Sequence, residues 1–257
     1  MPVYFARGGQ IGPGGEIELR DRQAWHLFKV LRARPGEVVT VVLDDGVEHQ
    51  VRLAQLGPDM VRGQVVSSRP SASEPRSAIH LAQAIPKGSG MNEVCERAAE
   101  LGVAAIWPLL TERTIPRLGP AAGQPRVRHW QAVADEAAQL AGRRVSPTVR
   151  VPMALAAALV SLREQLPQAQ MLACHAAEAL VSLAKVAWDP LLPTVVLIGP
   201  EGGWAPGELS LFAASSVTTV SLGPRNLRTI LAGLVAMTVL LARADDLEPA
   251  RPPAGVR

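Results

Sequence analysis

The chain has 257 residues, 48% of them hydrophobic and 19% charged, a composition that excludes a disordered or collagen-like protein. No run approaches the ~18 apolar residues of a membrane span, and the start MPVYFARGGQ lacks the apolar stretch of a signal peptide, so a cytoplasmic location is expected. Cys95 and Cys174 have neither disulfide-scaffold nor zinc-finger spacing, and the net charge of +3 hides a bias: 23 of the 26 basic residues are arginine, whose guanidinium binds phosphate bidentately and stacks on bases.

Residues 1–70 predict a small β-rich domain with one helix. Asp21 stands before a stretch whose apolar positions Ala24, Leu27, Phe28 and Leu31 follow helical spacing. The β-branched runs 37–43, 47–56 and 60–66 are separated by Asp44-Asp45-Gly46 and Gly57-Pro58-Asp59, both turn-forming, and suggest a small barrel. Ser67–Ser77 is polar, with two prolines and no periodicity, and reads as a domain linker with the boundary near residue 75.

From Ile79 strands alternate with helices. An apolar run at 79–85 precedes a helix with Met91, Val94, Cys95, Ala98 and Leu101 on one face, which Gly102 stops. Then come a buried strand at 103–110 and a helix at 126–141 with Trp130 inward. Three short apolar strands (171–175, 194–199, 217–223) follow, and a long helix at 229–242. This order predicts an α/β domain over 76–244, with 245–257 a frayed tail.

In open α/β sheets ligands sit beyond the carboxyl ends of the strands. Three such loops stand out: LACHA, IGPEGG and LGPRNLR. In Ile198–Gly203 the glycines leave backbone groups bare for a ligand, and Pro200 stiffens the bend. The spacing fits neither the P-loop nor the G-x-G-x-x-G turn, and an ordinary strand-to-helix turn with Pro206 opening the next helix explains it as well. Lys87-Gly88-Ser89-Gly90 also lacks phosphate-loop spacing and reads as a flexible turn.

IGPEGGW (198–204), then SLGPRNLRT (221–229) and a small-residue helix, resemble the signature of the RsmE-like rRNA uridine-N3 methyltransferases of the SPOUT superfamily. HLFKVLRARPG (26–36), ELGVAAIWPLLTER (100–113) and QLAGRRVSP (139–147) are similar to further segments of that family, in the same order along the chain. The resemblance implies a PUA-like or OB-like β-barrel followed by a trefoil-knotted SPOUT domain. It implies a homodimer that uses S-adenosylmethionine, without a metal, to methylate N3 of a uridine in helix 44 of 16S rRNA (U1498 in the usual numbering), in the 30S ribosomal subunit.

Carried onto this sequence, the cofactor would lie against Leu172, Cys174 and His175, against Ile198, Gly199, Pro200, Glu201, Gly202 and Gly203, and against Leu222, Gly223, Asn226 and Leu227. Arg228 is the candidate catalytic group, a guanidinium for the charge that develops on the uracil ring. Arg22, Lys29, Arg32, Arg34, Lys87, Arg143 and Arg144 are candidate RNA contacts. Trp204 is expected exposed near the active site, and Trp107 and Trp130 in a core or a dimer contact. Gln139–Pro147, a residue longer than usual, is one of three places that depart from the family pattern. Its LR-x-E-T-A reads Leu227-Arg228-Thr229-Ile230-Leu231-Ala232, and its K-M-E triplet reads Gly90-Met91-Asn92. The loss of these charges keeps open an RNA-binding or assembly factor with weak or no methyl transfer, or a different RNA target. The ribose-methylating TrmH-like relatives fit less well, since their G-x-E-x-x-G and S-L-N-V-S segments are absent.

Overall fold

The computed structural model describes residues 3–5, 10–43, 47–70, 74–115, 120–175 and 181–248. They fall into two units, Met1–Glu74 with Ala138–Ser146, and Pro75–Ala137 with Pro147–Arg257. No helix among the described residues is long and apolar enough to cross a membrane.

In the first unit the strands β1 (Val3–Phe5), β2 (Glu16–Arg20), β3 (Val38–Val42), β4 (Val47–Leu56) and β5 (Met60–Pro70) form a sheet in the order β1-β3-β4-β5-β2. It is antiparallel except where β1 lies beside β3. Alternation along the strands turns Ile17, Leu19, Val39, Val41, Val51, Leu53 and Val61 into one core. Ala24 and Leu27 join it from α1 (Asp21–Trp25) and the π-helical turn His26–Val30 that continues α1. The expected apolar stripe is only half realised, because Leu31 is 46% exposed and Phe28 half-buried. The π turn, closed by the Leu31 N–H on the His26 carbonyl, takes in an extra residue and rotates the stripe off the sheet.

Ser67–Arg69, read as linker, extend β5 because polar partners on β4 receive them. His49 Nδ1 lies 2.8 Å from Ser68 Oγ, and Arg69 pairs with the buried Glu48. Residues 71–73 lie outside the described residues. Arg144 shares the Glu48 carboxylate, and Arg143, its side chain 4% exposed, holds Glu74 at 2.8 Å. Both guanidinium groups are therefore occupied inside this unit, contrary to the expectation that they reach RNA phosphate.

The second unit runs β6 (Ile79–Ala84), α2 (Gly90–Glu100), β7 (Ala105–Leu110), α3 (Pro120–Leu140), β8 (Thr148–Val149), β9 (Met153–Ala154), α4 (Leu155–Gln165), β10 (Gln170–Cys174), β11 (Val181–Ser182), β12 (Thr194–Ile198), α5 (Pro206–Ala214), β13 (Thr218–Ser221) and α6 (Thr229–Arg243). Its sheet is wholly parallel, in the order β11-β13-β10-β12-β6-β7-β8, with β9 also on β7. All of β12 is buried, as a strand covered on both faces requires. Val195 and Leu197 pack with Leu155, Leu159 and Leu162 of α4 and Phe212 of α5. Leu81 and Gln83 of the neighbouring β6 lie against Gly233 of α6. Helix α4 has no announcing signal, since its N-cap is Ala154, which has no capping side chain. Asp246, in the expected tail, accepts the N–H groups of Arg76 and Ser77; residues 249–257 lie outside the described residues.

His80, on β6, carries a buried Nδ1 without a partner among the described residues. Burial, with the nearby Arg150 charge second, pushes its pKa down to about 4. The fold thus favours neutral His80, and stability present above the ordinary value of 6.5 is lost as pH falls toward 4, on the order of 3 kcal/mol at most. Urea unfolding of wild type and His80→Leu across this range should show a steeper acid loss in the wild type. Parallel slopes would contradict the assignment.

Candidate active site

Three parallel strands end together. β10 lies between β12 and β13, with Cys174 in register with both Ile198 and Val220, so the segments leaving the three strands emerge side by side. They enclose a cleft of about 580 Å³, a volume typical of small-molecule sites. Cys174, His175, Ile198 to Gly203, Leu222, Gly223, Asn226 and Leu227 all line it, and so does Arg228. Leu172 does not. It lies two residues before the end of β10, buried in the sheet.

The loop after β12 exposes its backbone yet is fixed from several sides. Trp204 is buried, contrary to the expectation, with its Nε1 donating to the Cys174 carbonyl at 3.0 Å and its ring edge-on to Phe212 at 4.9 Å. Gly199 lies so close to that indole that a Cβ there would meet ring atoms at 3.1–3.3 Å. Arg113 donates to the carbonyls of Gly202 (2.8 Å) and Trp204 (3.3 Å). The buried carboxylate of Glu208, in the first turn of α5, accepts the N–H groups of Glu112 and Ala205. In the last loop Gly223 has φ +105°, a conformation that side chains strain to adopt.

A second lock joins this loop to the start of α6. Gln83 is wholly buried and donates through Nε2 to Thr229 Oγ1 at 3.0 Å; that hydroxyl donates in turn to the Gly199 carbonyl. Arg228, the N-cap residue of α6, is thereby placed at the cleft. Arg225 and Arg228 are exposed and pair with no carboxylate among the described residues. Arg113 and Thr229 join the site without a signal of their own in the sequence. Arg113 lay inside the quoted ELGV…TER segment, but only the fold brings that segment to the cleft.

Lys87 stands after β6 and donates its backbone N–H to Glu201 at 3.3 Å. Lys29, Arg32 and Arg34 are exposed in the first unit, and the Arg22 side chain lies outside the described residues. Burial pushes the Cys174 and Cys95 thiols up to about 12, so neither is a thiolate at neutral pH. No group of three or more metal-type side chains occurs among the described residues. The two departures that remove charge meet in space: a Cβ on Gly90 would lie 2.8 Å from Ile230 Cδ1, and Ile230 does not line the cleft. An apolar contact occupies the place where charged residues were expected.

Residues 73–241 match a family described as an RNA methyltransferase domain, and residues 19–66 match an RNA methyltransferase PUA domain. Ribosomal RNA small subunit methyltransferase E of Synechocystis sp. is 34% identical over 90% of this chain and 74% of its own. Among solved structures, ribosomal RNA small subunit methyltransferase E from Neisseria gonorrhoeae, bound to S-adenosyl methionine, is 28% identical with a TM-score of 0.83, over 95% of this chain and 98% of that one. A Legionella pneumophila methyltransferase with bound cofactor SAM is 30% identical with a TM-score of 0.81, over 94% and 97%. The fold is that of a SPOUT domain preceded by a PUA-like domain, and the chain belongs to the RsmE-like family of small-subunit rRNA methyltransferases.

Removing the Thr229 hydroxyl takes the partner from one N–H of the buried Gln83 amide, whose other N–H keeps the Ala84 carbonyl, and from the Gly199 carbonyl. Thr229→Val should therefore destabilise by about 1–3 kcal/mol, and Thr229→Ser by less than about 1 kcal/mol. Urea midpoints check this; equal losses would show that packing of the methyl, not the hydroxyl, matters.

Proposed function

We propose that this protein transfers a methyl group from S-adenosylmethionine to N3 of a uridine in 16S rRNA, U1498 of helix 44, within the small ribosomal subunit in the cytoplasm. The observation that carries the reading is the cleft formed by three strand ends, whose glycine loops offer bare backbone while Ile198, Leu222, Leu227 and Ala232 supply apolar walls. A nucleoside with a sulfonium tail needs this mixture: backbone groups for its polar edges and apolar surface for its ring. The cleft segments 198–203 and 222–227 would hold it, and when bound it supplies an electrophilic methyl.

Uridine N3 is a weakly acidic imide, so the protein's task is to favour loss of the N3 proton and to hold the nitrogen in line with the methyl carbon. Arg228 serves the first need. Its backbone is held at the N-cap of α6 by the Thr229–Gly199 lock, and its guanidinium, lining the cleft, stabilises negative charge developing on the ring carbonyls. With both cysteines protonated, direct transfer needs no covalent enzyme intermediate. Arg225, which lines the cleft, and Lys87, whose backbone N–H meets Glu201, would contact RNA phosphate in this reading. Helix α6 leaves an outer face with Leu231 48% exposed and Leu234 and Val235 half-buried, which supports the homodimer.

With labelled S-adenosylmethionine and small subunits lacking the modification, Arg228→Ala should lower kcat by roughly 10²–10³, the cost of removing one charge-stabilising donor. Cofactor affinity should change little. Undiminished turnover would remove Arg228 from the machinery. Ile230 in contact with Gly90 favours a second reading, a SPOUT-fold RNA-binding or assembly factor; cofactor binding without transfer to any RNA would support it.

A further inference from the structure

The first unit displays an aromatic ring that its core does not use. Trp25 ends α1 with 52% of its surface exposed, although Ala24 before it and Leu27 after it are wholly buried. Beyond it, Lys29 and Val30 are exposed in the π-helical turn, and the chain leaves through exposed Leu31, Arg32 and Arg34. Arg32 is held in a left-handed conformation (φ 50°) that arginine rarely adopts. The Lys29 ammonium rests 5.4 Å from the centre of the Phe28 ring.

The charges that follow this ring in the chain differ from most others in the unit. Arg20 and Arg62 share Glu18, Arg69 and Arg144 share Glu48, and Arg143 holds Glu74. Lys29, Arg32 and Arg34 form no ion pair with a described residue. Between Arg22 and Leu43 the sequence holds four basic residues and a single acidic one, Glu37. The Leu53 carbonyl accepts the Gly36 N–H, so β4, with exposed Arg52, runs beside the turn that follows Arg34.

An exposed indole followed within nine residues by three exposed cations, none paired with a described carboxylate, matches a nucleotide strand, which brings both a flat π-face and a phosphate. Duplex bases have their faces already stacked, so the ring selects an unpaired one. We propose that Trp25 is a stacking platform for an unpaired base of the RNA, with Lys29, Arg32 and Arg34 on the flanking phosphates. This rests on the reading of the protein as acting on RNA, and adds to it a single-stranded contact remote in sequence from the methyl-transfer cleft.

The test uses the full chain with a single-stranded RNA 12-mer and a hairpin of the same composition, following tryptophan emission and filter binding. The single strand should quench wild-type emission. Trp25→Phe should lose most of that quench while keeping affinity within about threefold, and Trp25→Ala should weaken single-strand binding tenfold or more. Hairpin-stem binding should be unaffected. Lys29→Ala should reduce the slope of log affinity against log salt by about 0.7. Wild-type affinity in Trp25→Ala, or an undiminished quench in Trp25→Phe, would overturn the proposal. So would a change in sedimentation or vesicle binding as the sole effect of Trp25→Ala, which would make the ring a self-association or lipid contact. S-adenosylmethionine binding, measured on the same samples, separates the two readings. A wild type that binds no cofactor but shows the quench overturns the methyltransferase reading alone, and one that binds cofactor with no Trp25 effect overturns this inference alone.

Discussion

The Thr229 hydroxyl, bonded at once to Gln83 and to the Gly199 carbonyl, is the interaction on which the candidate site turns. A loop that presents bare backbone to a ligand has few side chains of its own with which to stay in place. Here the restraint comes from outside. Thr229 holds the loop's first residue, Arg113 holds Gly202, and Trp204 reaches across to β10. The same threonine opens α6, so the position of the Arg228 backbone and that of the loop are set together.

The parallel sheet makes this arrangement possible. Strands β10, β12 and β13 lie side by side in space although 19 or more residues separate them in sequence, and their common direction delivers three loops to one edge. Burial of β12 on both faces and of the middle of β10 anchors the strand ends, so that the loops carry the chemistry and the sheet fixes the geometry.

Much of this was legible in the residues, for identifiable reasons. Short apolar runs ending in glycine announced the parallel strands, and IGPEGG and LGPRNLR carried enough unusual residues to mark the cleft and to support the family resemblance. What escaped was set by contacts distant in sequence. Arg113 joins the cleft through the carbonyls of Gly202 and Trp204. Trp204 looked exposed because it follows a glycine loop, yet the Cys174 carbonyl and Phe212 draw it inside. Arg143 and Arg144 looked like RNA contacts until Glu74 and Glu48, far upstream, claimed them. The π turn after Trp25 has no periodic signature at all. The knot implied by the resemblance is likewise invisible to periodicity, because threading leaves no trace in local pattern.

The central claim is that the cleft serves transfer to a base nitrogen, and the identity of the methylated nucleotide tests it most directly. Small subunits lacking the modification would be treated with the protein and S-adenosylmethionine, and the 16S rRNA digested and read by mass spectrometry. The account predicts a single N3-methyluridine within helix 44. A methyl on a ribose hydroxyl, or on another RNA with helix 44 untouched, would contradict it.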